Sequence, residues 1–317
     1  MSATAQVSEQ KQTGFKRVLI ATDFSPASEY AVEWALAIAR RDGARVTLVH
    51  ALASEPREFV PMDSPPELDR PRLKAEQQMK QLAEKAAEKG ITCQPWVERG
   101  RAGDVVASFV EREDADLIVL GTHGRGGIGK ITLGSVAEEV LRRANCPVLT
   151  VGPHVMGPGT AAAGAAKFRC VLFATDFGPA SVQAFPYALS TAESQGAKLV
   201  LVHMFPLLPA IAAASYAPAV CGADDLDQWQ AQARIDSLKT LKKLIPPGTK
   251  LTVPPEFVVG TDFLPEGILT AAKQHHADLI VMGANRADSA HTVAHVPWSV
   301  AYQVIAQAQC PVLTVRG

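Results

Sequence analysis

Between Gly121 and Ser135 the chain reads GTHGRGGIGKITLGS, with glycines at 121, 124 and 134, a serine after the last, and Arg125 and Lys130 between them. Glycine lets backbone N–H groups approach an anion where a Cβ would intrude. Free N–H groups leading into a helix form an anion site, to which the helix dipole adds. The segment follows an apolar run ending at Leu120 and precedes a helical pattern opening at Ser135, which makes it a candidate phosphate loop. Ser135 can cap that helix, donate to a phosphate, or do both, and Arg125 and Lys130 bring charge suited to a triphosphate. The loop is not G-x-x-x-x-G-K-[ST], and no dinucleotide G-x-G-x-x-G follows the first strand. Glycine-rich turns are also common plain connections, so the position between strand and helix carries the reading.

A second group, TDFS from Thr22, follows the first apolar run. The Asp23 carboxylate can accept from ribose hydroxyls or an adenine amino group. It can equally form an Asx turn or cap the helix near Ser28, and these roles can coexist. His123, inside the loop, faces either phosphate or solvent. His291 and His295 are four apart, as two metal ligands on one helix face would be, but they precede Pro297, where a helix more naturally starts. A polar loop is the reading there, with no metal.

These groups need a scaffold that brings them together. Apolar runs at Val18 to Ala21, Val46 to His50, Leu117 to Gly121 and Val148 to Val151, with a weaker strand near Thr92 to Glu98, alternate with helical spacing. The helical stretches are Ser28 to Arg41, about Glu67 to Lys89, Ala102 to Glu113 and Ser135 to Ala144. Runs apolar throughout predict strands covered on both faces, hence an α/β fold with a doubly wound, Rossmann-like parallel sheet. Such sheets bind ligands beyond the strand carboxyl ends, where TDFS, His50–Ala51 and the glycine loop all fall.

The pattern occurs twice. VLIATDFSPAS at Val18 returns as VLFATDFGPAS at Val171, ADLIVLG at Ala115 as ADLIVMG at Ala277, and CPVLTV at Cys146 as CPVLTV at Cys310. Two tandem domains are therefore expected, 16–152 and 168–317, after a disordered tail over 1–15. Gly152 to Lys167, rich in glycine and alanine, reads as a flexible linker. In the second copy Ser299 aligns with Ser135 and Trp298 with Gly134, Arg286 stands in the place of Gly124, and the loop is two residues longer. An indole in place of bare backbone predicts no conventional triphosphate site there, leaving a smaller ligand or an empty pocket. The apolar, proline-broken stretch Phe205 to Val220 is expected to pack locally.

Composition bounds the partners. The 317 residues carry a formal net charge of −1, which gives no broad field for nucleic acid or an anionic membrane. Five widely spaced cysteines form neither a disulfide framework nor a zinc motif, and no stretch reads as a secretory signal or a transmembrane helix; a cytoplasmic location is expected. The matching positions of Cys146 and Cys310 suggest small packing residues.

The order G-x-x-G, nine residues, then G-[ST], together with ATDFS, LVHA, ADLIVLGTHG and CPVLTV, resembles the universal stress protein family across nearly the whole chain, as two tandem copies. The resemblance implies an ATP site, with or without magnesium, formed by Ala21, Thr22, Asp23, Ala51, Leu120, Gly121, Gly124, Arg125, Lys130, Gly134, Ser135 and Val136. Within it, Asp23 and the Ala51 backbone would lie near the nucleoside and the glycine loop around the phosphates. It also implies dimerisation through the last strand, here between the two copies of one chain, with further homo-oligomerisation and a downstream protein partner open, and a part in stress survival. No Asp or Glu lies between Gly121 and Ser135 to hold magnesium beside phosphates, so a regulatory ATP-binding protein is expected rather than an enzyme. A slow ATPase or phosphoryl-transfer enzyme and a nucleotide-free partner-binding module are the alternatives.

Overall fold

The computed structural model describes residues 14–53, 69–122, 133–158, 167–205, 223–261, 263–284 and 296–317. In the first half β1 (Arg17–Ala21), β2 (Arg45–Leu52), β3 (Cys93–Arg99), β4 (Leu117–Gly121) and β5 (Val148–Val151) alternate with α1 (Pro26–Asp42), α2 (Arg70–Glu88), α3 (Ala102–Arg112) and α4 (Ser135–Arg143). The second half repeats the order with β6 (Cys170–Ala174), β7 (Lys198–Met204), β8 (Glu256–Gly260), β9 (Leu279–Ala284) and β10 (Val312–Arg316). Its helices are α5 (Pro179–Gln195), α6 (Ala223–Leu244), α7 (Leu264–Gln274) and α8 (Val296–Gln307).

Local chemistry sets the element ends. Ser25 accepts from the Ser28 N–H and caps α1, Pro26 occupies its first turn, and Gly43 ends it at φ 66, a left-handed conformation that suits glycine. Asp69 caps α2 by accepting from the Arg72 N–H, which moves the start from the expected Glu67 region to Arg70. The central strands are buried along their length, whereas β3 shows only partly buried and exposed positions, as an outer strand should.

All ten strands form one sheet, in the order β3-β2-β1-β4-β5-β10-β9-β6-β7-β8. Every pairing is parallel except that of β5 with β10, which is antiparallel, with Thr150 opposite Val312, Leu149 opposite Leu313 and Val148 opposite Thr314. The Thr150 hydroxyl donates to the Val312 carbonyl at 3.1 Å, and the Thr314 hydroxyl to the Val148 carbonyl at 3.3 Å. The two CPVLTV strands thus join the halves as expected. Helices cover both faces, and the core on each face contains side chains of both halves. Strand direction reverses at the seam, so the carboxyl ends of the two sets of parallel strands open at opposite ends of the sheet.

The connection between the halves begins anchored: Val155 is buried, and the Trp34 indole N–H donates to the Met156 carbonyl at 2.9 Å. The Trp34 ring also stacks on Phe168, with centroids 5.4 Å apart, and so fixes both ends of the connection. Residues 159–166 lie outside the described residues, as do 1–13 and 206–222, where the expected tail and most of the apolar stretch fall. Among the described residues no helix is long and apolar enough to cross a membrane.

Each half brings a strand end against a helix start with no room for a side chain. A Cβ on Gly121 would lie 2.9 Å from the Ala27 carbonyl carbon and the Ser28 nitrogen; on Gly283 it would lie 2.4 Å from the matching atoms of Ala180 and Ser181. Gly121→Ala and Gly283→Ala should each destabilise the protein by about 1–3 kcal/mol, the second more than the first. Urea unfolding checks this, with a lower midpoint at unchanged slope as the expected result.

Candidate functional site

A cavity of about 370 Å³ opens at the carboxyl ends of β1 and β4. Here β1 has β2 on one side and β4 on the other, so the order of connection reverses, which is where doubly wound sheets form their crevice. Of the residues expected from sequence, Ala21, Thr22, Asp23, Ala51, Leu120, Gly121, Gly134, Ser135 and Val136 all line it. Gly124, Arg125 and Lys130, and with them His123, lie outside the described residues. The structure adds Thr122 and Leu133, and from α3 Ala102 and Val106, which sequence reasoning missed. The signal for the last pair was their four-residue spacing on a helix that follows β3 directly.

Two hydrogen bonds draw the ends of the glycine loop together. The Thr122 N–H donates to the Val151 carbonyl at 3.0 Å and the Gly134 N–H to the Thr122 carbonyl at 2.7 Å. Gly134 holds the N-cap position of α4 and makes no side-chain cap. Ser135 is the first helical residue, so its expected capping role is corrected: a capping oxygen must belong to the residue before the first turn. The amino end of α4, without a side-chain cap, fronts the cavity.

Asp23 forms the Asx turn, accepting from the Ser25 N–H at 3.0 Å, while Ser25 rather than Asp23 caps α1. Half-burial opposes ionisation of Asp23, but hydrogen bonds from Ser25 and Ser28 outweigh it and hold the carboxyl below its ordinary range. The next residue, Phe24, adopts φ 62, unusual for a bulky side chain. Its N–H donates to Thr22 Oγ1 at 3.1 Å, and its ring lies 4.4 Å from that of His50, whose Nδ1–H donates to the Thr22 carbonyl at 2.7 Å. This small network fixes the turn that presents Asp23 to the cavity.

The second half repeats the turn and narrows the pocket. Phe177 adopts φ 61 with its ring 4.3 Å from His203, and Asp176 accepts from the Gly178 N–H and the Ser181 hydroxyl. The corresponding cavity measures about 160 Å³. Three of its walls carry larger side chains than their counterparts, Met204 for Ala51, Leu264 for Ala102 and Ile268 for Val106, while Met282 for Leu120 conserves volume. Small-molecule pockets usually offer about 300–1,000 Å³, a range that includes the first cavity and not the second. α8 opens at Val296, one residue before the expected Pro297; the side chains of Trp298 and Ser299, and Arg286, His291 and His295, lie outside the described residues.

A larger cavity of about 640 Å³ lies at the opposite, amino ends of β1 and β2, beside Arg17, Arg40 and Arg45. Helices end there rather than begin, and their carboxyl-terminal dipoles oppose an anion, so the smaller cavity is the better candidate. Burial pushes the Cys146 and Cys310 thiols up to about 12, which leaves them uncharged and suits packing rather than redox chemistry. No cluster of three or more potential metal ligands occurs among the described residues.

Two copies of a doubly wound domain, joined through their last strands and each carrying a strand-end Asp turn, define the class of protein. The chain matches the universal stress protein family over residues 14–152 and again over 167–316, and it belongs to that family. It is 36% identical over 139 residues to a universal stress protein of Methanocaldococcus jannaschii, covering 43% of this chain and 82% of that one. It is 34% identical over 138 residues to one from Thermus aquaticus, covering 43% and 98% respectively. The crystal structure of a universal stress protein from Archaeoglobus fulgidus superposes with a TM-score of 0.64 over 95% of this chain and 98% of that one, at 20% identity, a likeness of fold.

The lowered pKa of Asp23 implies stability present above its unfolded value of 3.8 and lost as pH falls through the lower folded value. Asp23→Asn, which keeps the turn's acceptor but not its charge, should be less stable than wild type at pH 7. The difference should shrink below about pH 3.8, as urea titrations across that range would show.

Proposed function

We propose that the first half binds an adenine nucleotide, foremost ATP, as a regulatory ligand, and that the second half is a partner domain without a triphosphate site. The observation that carries the reading is the convergence of residues from β1, β2, β4 and α4, which the glycine and TDFS patterns single out, on one cavity fronted by a helix amino terminus. In this reading the apolar walls Val49, Ala51, Ala102 and Val106 hold the base, Asp23 takes a ribose hydroxyl or the base amino group, and Gly121, Gly124, Gly134 and Ser135 surround the phosphates, with Arg125 and Lys130 supplying charge. The domains divide at 16–152 and 168–317. With no carboxylate in the loop to hold magnesium, binding rather than turnover is the function. In the second half, Met204, Leu264 and Ile268 fill the space that the base would need.

The test is to denature the purified protein and chromatograph the supernatant, for wild type and for Gly134→Trp, which copies the residue at the matching position of the second half. Wild type should release close to one ATP per chain, and the variant at least tenfold less. Release of two nucleotides per chain would overturn the assignment of the second half. No release from wild type, with no uptake of added ATP, would overturn the nucleotide reading itself.

A further inference from the structure

At the carboxyl end of the glycine loop two consecutive N–H groups are tied down by different halves of the molecule. Gly134 donates to the Thr122 carbonyl within the first half. Leu133, buried in the cavity wall, donates at 2.7 Å to the phenolic oxygen of Tyr302, which stands on α8 of the second half. Thr122 itself is anchored to Val151, so three bonds fix where α4 begins, and one of them comes from across the seam. Helix α8 also serves the other cleft, since Val300 lines the second cavity.

The arrangement runs in one direction only, and the sequence shows why. With Ser135 aligned on Ser299, Leu133 corresponds to Pro297 and Tyr302 to Glu138. Proline has no N–H to donate. Glu138 points instead to Arg142, 3.8 Å away on its own helix. The matching bond from the first half to the second therefore cannot form.

We infer that Tyr302 is a positioning residue through which the second domain holds the phosphate end of the first domain's site. It touches no ligand. Its phenol fixes the Leu133 amide, and with it the direction of the N–H groups that open α4, so its effect falls on the phosphates and not on the nucleoside. The inference rests on the nucleotide reading above and deepens it: the second half, poor as a binding site, completes the first.

Titration calorimetry with ATP and with adenosine, on full-length wild type and Tyr302→Phe, tests it. The phenylalanine keeps the ring and removes only the acceptor. The expected result is a loss of ATP affinity of roughly 3- to 10-fold, the size of one modest hydrogen bond, with adenosine affinity unchanged. Hydrogen exchange over the segment containing Leu133 should be faster in the variant, with or without ligand. Wild type that binds ATP no more tightly than Tyr302→Phe does overturns the inference and leaves the nucleotide reading standing. Equal losses for ATP and adenosine would mean that the tyrosine merely holds the halves together, which also overturns it. Wild type that binds neither compound removes both readings.

Discussion

The pairing of β5 with β10 is the constraint from which the rest of the molecule follows. A last strand with an unpaired side would leave two small sheets, each with an open edge inviting association. Three residue pairs and two threonine hydroxyls convert them into one sheet whose outer strands are β3 and β8. The core on each face then runs through both halves, and the reversal of strand direction sends the two clefts to opposite ends. That reversal also places α8 so that one end of the helix belongs to the second cleft while Tyr302 reaches the first.

Much of this architecture was legible because a parallel sheet covered on both faces leaves a plain trace. Leu117 to Gly121 is apolar without interruption, Val148 to Val151 is broken only by Thr150, and the strands occupy those residues. Outer β3, with Gln94 and Pro95 exposed, gave only a weak signal because it lacks that double covering. The start of α2 was misplaced because amphipathic spacing continues smoothly past a cap, whereas Asp69 fixes the boundary by accepting a single N–H.

The candidate site divides in the same way. Residues contributed by strand ends were legible, since apolar runs locate the carboxyl ends of a parallel sheet, where a doubly wound fold opens its crevice. The capping alternative for Ser135 stayed open because sequence alone does not separate the residue before a helix from the first residue in it, and the two differ in which N–H groups their hydroxyl can reach. Ala102 and Val106 were missed because small apolar residues on a helix look alike whether they face a core or a cavity. The bond between Leu133 and Tyr302 joins residues 169 apart through a rotation about the seam, which no local pattern encodes.

The unmatched glycine-loop partners, Leu133 with Pro297 and Tyr302 with Glu138, have a consequence for what a covalent duplication permits. In an assembly of two identical chains every substitution is made twice, so a residue that serves the neighbouring cleft must also be tolerated at its own. Here the copies are written separately and are held together at an effective concentration that no dilution lowers. One copy is free to give up its pocket volume to Met204 and Leu264 without emptying the other. Divergence between the two copies thus requires neither a second gene product nor an association equilibrium.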